Sequence, residues 1–133
     1  ERAHIVIKSA AVSDYSPCEK SEQKIKKSEK ELSIPLKKTR DILKSLGKYK
    51  KDRILVGFAA ETENLVNNSR KKLEEKNLDL IVANDVTAPQ AGFGEDTNIA
   101  WLVDRKKVEE LPLMSKFELA NRILDRIKEI ENA

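Results

Sequence analysis

The chain has 133 residues, 39% hydrophobic and 37% charged, with 26 Lys/Arg against 23 Asp/Glu. That suits one domain with a core, and a net charge of +3 does not by itself mark a nucleic-acid binder. Strand-sized apolar runs exclude a membrane-spanning helix, and the lone Cys18 excludes an intrachain disulfide and, without a Cys/His cluster, a zinc site.

No signal peptide is read at the start of the chain, so the expected setting is a reducing cytoplasm, with Cys18 an incidental loop thiol. The chain opens on "ERAHIVIKSAA", with no methionine and almost no lead-in, as a chain entered in the middle of a fold would.

Ala3 to Ile7 is a β-branched apolar run that predicts a buried parallel strand, with His4 satisfied inside it. Ser13 to Lys30 reads as loop, punctuated by Ser16-Pro17. Glu31 to Leu36 alternates like a strand, which Pro35 pushes to an edge. Thr39 is placed to cap a short helix carrying Ile42, Leu43 and Leu46, closed by Gly47.

Ile54 to Phe58 is the next buried strand, followed by a helix over 63–76 with Leu65, Val66, Ser69 and Leu73 on one face. A strand over 79–83 comes next, then a loop over 84–98 containing Pro89, Gly92 and Gly94. Ile99 to Val103 and Val108 to Leu113 predict a hairpin turning near Asp104, with Trp101 as a packing residue on it. Ser115 and Glu118 form a capping box that opens a last helix.

Strands alternating with helices predict an α/β fold: a mainly parallel, Rossmann-like sheet with helices on both faces and a C-terminal hairpin plus helix. Ligands of such sheets lie beyond the carboxyl ends of the strands. Three segments leave those ends, at 9–27, 59–62 and 84–98, and are expected to converge on one site.

Residues 20–53 hold 13 Lys/Arg and only 5 Asp/Glu. Such a run is ordinarily a solvated face, and its rival reading is a phosphate-facing segment. No Walker lysine loop and no GxGxxG is present, and Gly92-Phe93-Gly94 reads as a plain turn. Lys72 and Lys76 are one helical turn apart and project from one face, where lysines are usually just solvated.

Four stretches in order, "AAVSDY", "KIKK", "GFAAET" and "NLDLIVANDV", with "LPLMSKFELANRILDRI" at the end, resemble phosphopantothenoylcysteine synthetase across nearly the whole chain. That family is the synthetase half of the bacterial bifunctional flavoprotein of coenzyme A biosynthesis. The resemblance implies a ligase that activates the carboxylate of 4'-phosphopantothenate with CTP as an acyl-cytidylate. It then forms an amide with L-cysteine, releasing CMP and pyrophosphate overall.

It also implies Mg²⁺ with the CTP, a cytoplasmic homodimer, no flavin in this portion, and neither nucleic acid nor membrane as a partner. Ala10, Asp14, Lys24, Phe58, Lys72 and Lys76 fall on the family's CTP-contacting positions, with Lys24 the expected catalytic group. Arg40, Asp41, Ile42 and Leu43 occupy the family's Pro-Asp-Ile-Leu nucleotide segment, with Arg40 in place of proline. No metal ligand is assigned.

The family's preceding half, with its glycine-rich phosphate loop and an asparagine-bearing stretch, has no counterpart here. Residues 1–133 are therefore expected to be the C-terminal half to two-thirds of one synthetase domain, inactive alone. Two rival readings are a basic nucleic-acid-binding module over residues 20–53 and a non-catalytic nucleotide-binding relative. In the basic stretch Tyr49 is the only aromatic, which disfavours single-strand stacking.

Overall fold

A computed structural model describes residues 3–26, 31–85, 87 and 96–133. Its strands and helices are β1 (Ile5–Lys8), β2 (Tyr15–Pro17), β3 (Leu36–Lys38), α1 (Ile42–Lys48), β4 (Ile54–Glu61), α2 (Leu65–Glu75), β5 (Leu80–Asp85), β6 (Thr97–Asp104), β7 (Val108–Ser115) and α3 (Lys116–Glu131).

Five strands form one sheet in the order β1-β4-β5-β6-β7. β1, β4 and β5 run parallel, and the β6–β7 hairpin adds two antiparallel strands beside β5. The chain is a Rossmann-like α/β protein with a mixed sheet.

Period-two alternation in β4 and β5 separates two apolar faces. Val56, Leu80 and Val82 pack with Ala100, Leu102 and Leu111 under Leu119, Ile123 and Ile127 of α3. Leu55, Ala59, Ile81 and Ala83 face the other way, under Leu43 of α1 and Leu73 of α2, with Trp101 packed beside them. Helices thus cover both faces of the sheet.

Two glycines let the helices come close. A Cβ on Gly57 would stand 2.7 Å from Leu43 Cδ2 and 3.0 Å from Leu78 Cδ1. A Cβ on Gly47 would stand 1.9 Å from the Lys76 carbonyl oxygen, so the end of α1 lies directly on the end of α2. Asn77 Nδ2 donates to the Gly47 carbonyl at 3.1 Å across the same contact.

Several local expectations are corrected. Asp41, not Thr39, caps α1, because Thr39 is engaged elsewhere. Gly47 does not close α1 but is buried in its last turn, with Tyr49 at the C-cap. The strand expected over 31–36 falls at Leu36–Lys38 and pairs with Tyr15–Pro17, within a stretch read as loop. β4 runs on to Glu61, three residues beyond Phe58. His4 is exposed before β1, and its carbonyl accepts from Ile54 N at 3.0 Å.

The capping box is present, with Ser115 and Glu118 bonded reciprocally. The Gly92-Phe93-Gly94 turn, Pro89 and Lys27 lie outside the described residues. Among those described, no helix is long and apolar enough to cross a membrane.

Candidate functional site

A cavity of about 420 Å³ opens beyond the carboxyl ends of β1, β4 and β5. Its walls come from the segment after β1, the N-terminus of α1, the end of β4 and the outer turns of α2. Ala10, Asp14, Arg40, Asp41, Ile42, Leu43, Phe58, Lys72 and Lys76 all line it.

The segment after β1 leaves the sheet as small residues and is pinned at both ends. Lys8 Nζ donates to the Ala10 carbonyl at 2.9 Å. At the far end, Thr39 Oγ1 donates to the Ser13 carbonyl at 2.6 Å and Thr39 N to the Asp14 carbonyl at 2.9 Å. These bonds set Asp14 beside the start of α1. The Asp14 side chain is exposed, and no hydrogen bond to its carboxylate is found among the described residues.

Asp41 accepts from Lys44 N at 2.9 Å through Oδ1 and lies 3.0 Å from Lys76 Nζ through Oδ2. Arg40 is turned back along α1, its Nε donating to Ser45 Oγ at 3.0 Å. Leu43 is buried under the sheet while Ile42 is exposed. Phe58, half-buried, packs on the α3 side and is among the residues that line the cavity.

Lys72 of α2 and Lys76 at its C-cap are not free solvated side chains. Lys72 Nζ is 2.5 Å from Glu61 Oε1, and Lys76 is tied to Asp41 as above. Sequence reasoning missed Glu61, which sits in "GFAAET" at the strand end and holds Lys72, and it missed Lys8 and Thr39 on the cavity wall. The signal available for Glu61 was alternation: continuing β4 beyond Ala59 turns it toward α2.

Lys24 is exposed and is not among the residues lining the cavity. Among the described residues, no group of three or more His, Cys, Asp or Glu side chains is arranged to hold a metal ion. A concavity of about 370 Å³ at the opposite end of the sheet is lined by Asp79, Asp104 and Arg126, among others. Those charges are committed to protein partners: Asp79 to Lys50 and Leu55 N, and Asp104 to Arg126. The cavity at the strand carboxyl ends is therefore the better candidate.

An open α/β sheet with a polar cavity at the carboxyl ends of its parallel strands places the chain among the open-sheet α/β proteins, whose ligands lie at that end of the sheet. The comparisons carry this further. The chain belongs to the DNA/pantothenate metabolism flavoprotein C-terminal domain family, whose model matches residues 1–130.

It is 52% identical over 129 residues to the coenzyme A biosynthesis bifunctional protein CoaBC of Bacillus subtilis, covering 96% of this chain and 32% of that protein. It is 42% identical over 125 residues to a prokaryotic protein of unknown organism named cysteine/cysteine sulfinic acid decarboxylase, covering 92% and 35%. A crystal structure of the C-terminal domain of a CoaBC protein superposes with a TM-score of 0.77 at 39% identity, over 98% of this chain and 56% of that one. The chain spans about a third of the length of these curated relatives.

Proposed function

We propose that the chain is the C-terminal part of a phosphopantothenate–cysteine ligase of coenzyme A biosynthesis and carries much of its CTP site. One observation supports this above others. Nine of the ten residues expected from the family's CTP contacts come from separate segments and line one cavity. The name of the Bacillus subtilis relative, which refers to coenzyme A biosynthesis, points the same way. The relative named for decarboxylation is matched over 35% of its length, so its name does not say which part carries that chemistry.

In this reading the carboxylate of 4'-phosphopantothenate attacks the α-phosphorus of CTP. An acyl-cytidylate forms and pyrophosphate leaves. The amine of L-cysteine then attacks the acyl carbon, the nitrogen gives up a proton to solvent as the amide forms, and CMP leaves with the electron pair of the broken bond. Asp14, with its carboxylate unengaged, accepts from the cytosine amine or the ribose hydroxyls. Lys72 and Lys76 meet the nucleotide from α2, and Lys24 closes over the phosphates as pyrophosphate departs.

Mg²⁺ commonly binds through phosphates with one or two carboxylates. Asp41 has its oxygens taken by Lys44 N and Lys76, and Glu61 by Lys72 and Asn68, so neither is assigned to the metal. The enzyme is read as a cytoplasmic homodimer.

The test is pyrophosphate release from CTP by the complete synthetase that contains this chain. Release should depend on 4'-phosphopantothenate, and CMP release should depend on cysteine. Oligonucleotide binding with a steep salt slope and no response to CTP would replace this reading with a nucleic-acid module. Saturable CTP binding without turnover would leave a non-catalytic relative.

A further inference from the structure

Lysine has four rotatable side-chain bonds and a compact charge with three donors, so its place on a helix does not determine where its ammonium points. At Lys72 something does. Glu61, at the end of β4, is buried, with its side chain 9% exposed, whereas that of Lys72 is 41% exposed. Glu61 Oε1 holds Lys72 Nζ at 2.5 Å, and Oε2 accepts from Asn68 Nδ2 at 3.3 Å. Asn68 Nδ2 is held in turn by the Glu63 carbonyl at 3.1 Å.

The result is a relay from a buried, oriented carboxylate to a half-open ammonium on the cavity wall. Glu61 does not itself line the cavity, whereas Lys72 does. A buried carboxylate with one oxygen on an amide and the other on an ammonium has little freedom to follow its partner. Among the described residues, Lys72 is thereby presented with one N–H engaged and two left for a ligand acceptor.

We propose that Glu61 is a positioning residue for the nucleotide, acting through Lys72, with Asn68 orienting Glu61. This rests on the reading that places Lys72 at the nucleotide. Glu61 contributes a fixed direction rather than attraction, since its charge opposes that of a phosphate.

The test is a double-mutant cycle on CTP affinity in the complete synthetase, with thermal unfolding as a folding control. Glu61→Gln keeps the shape and removes the charge. It should weaken CTP binding by about tenfold, within the coupling expected of contacting residues. On a Lys72→Met background the same change should alter affinity by less than about twofold. kcat should fall less than affinity, because the contact is made in the ground state as well.

Asn68→Ala, which leaves the Glu61–Lys72 pair intact, should weaken CTP by about threefold and keeps the proposal testable if Glu61→Gln fails to fold. If Lys72→Met leaves CTP binding unchanged, the placement of Lys72 at the nucleotide falls, and this inference with it. If Lys72→Met weakens binding but Glu61→Gln is silent, or acts equally in both backgrounds, the nucleotide reading stands and the positioning role is overturned.

Discussion

Lys76 Nζ stands 3.0 Å from Asp41 Oδ2, on a carboxylate whose other oxygen caps α1. One side chain therefore starts a helix and steers a lysine of the neighbouring helix into the cavity. Burial acts to raise the Asp41 pKa, but the Lys44 N–H bond and the Lys76 hydrogen bond and charge outweigh it and hold it below the ordinary aspartate value. The linked stability is present above the unfolded-state pKa and is lost as pH falls through the lower folded one.

Asp41→Asn separates the two roles. Asparagine caps about as well as aspartate, so stability should fall only by the charge-linked part at neutral pH, while CTP affinity of the complete synthetase drops. Asp41→Ala should lose the cap too, at about 1 kcal/mol. Calorimetric unfolding beside CTP titration decides it. Equal CTP affinity in wild type and Asp41→Asn would make the Lys76 pairing purely structural.

Lys24 lies off the cavity wall, and in the proposed function it takes part only when charge develops on the leaving pyrophosphate. Lys24→Gln should lower cytidylate formation by about 10²–10³, the size of losing one preorganised donor, with a much smaller change in CTP affinity. Single-turnover pyrophosphate release measures the first and equilibrium titration the second. A rate within twofold of wild type would mark Lys24 as a solvated charge.

Ser69 is completely buried on the inner face of α2, and among the described residues its hydroxyl has no hydrogen-bond partner. An orphaned buried polar group costs about 1–3 kcal/mol, and alanine is the better helix former. Ser69→Ala should raise the unfolding free energy by about 1 kcal/mol. A loss of stability in a denaturant titration would show that the hydroxyl has a partner after all.

At the far end of the sheet, Arg126 is 4% exposed, lies 3.0 Å from Asp104, and also binds Glu109. Arg126→Met should cost about 3 kcal/mol by leaving buried carboxylates facing an apolar group. Burial acts to raise the Glu109 pKa, but the Lys107 and Arg126 hydrogen bonds and charges win and lower it from the ordinary 4.5. The stability linked to Glu109 is therefore complete above that value and lost as pH falls through the lower folded pKa. The gap between wild type and Arg126→Met should narrow in acid. A gap independent of pH would show that the loss of packing, not charge, sets the cost.

The elements written in local pattern were legible. The short apolar runs "ILVGF" and "DLIVA" mark the buried parallel strands, and Ser115 with Glu118 marks the start of α3. What was hidden depends on partners far apart in the chain. Thr39 looked like a cap because nothing nearby shows that it bonds Ser13, 26 residues back. Tyr15–Pro17 looked like loop because its strand partner lies across residues 18–35. The cavity's location followed from strand order, but its lysines read as solvated. Their carboxylates, Glu61 and Asp41, are not within one helical turn of them in sequence.

The two apolar clusters on opposite faces of the sheet share no residue. α3 spans 16 residues and is anchored by Leu119, Ile123, Arg126 and Ile127, whereas α1 spans 7 and buries only Leu43 and Gly47. Cooperative opening need not be global where anchoring is so uneven. Amides of α1 should exchange with deuterium well before those of β5 and α3. A ligand bridging α1 and α2 would slow exchange on one side of the sheet and leave the other unaltered, so its footprint would appear as a local gain in protection and not as a gain throughout the molecule.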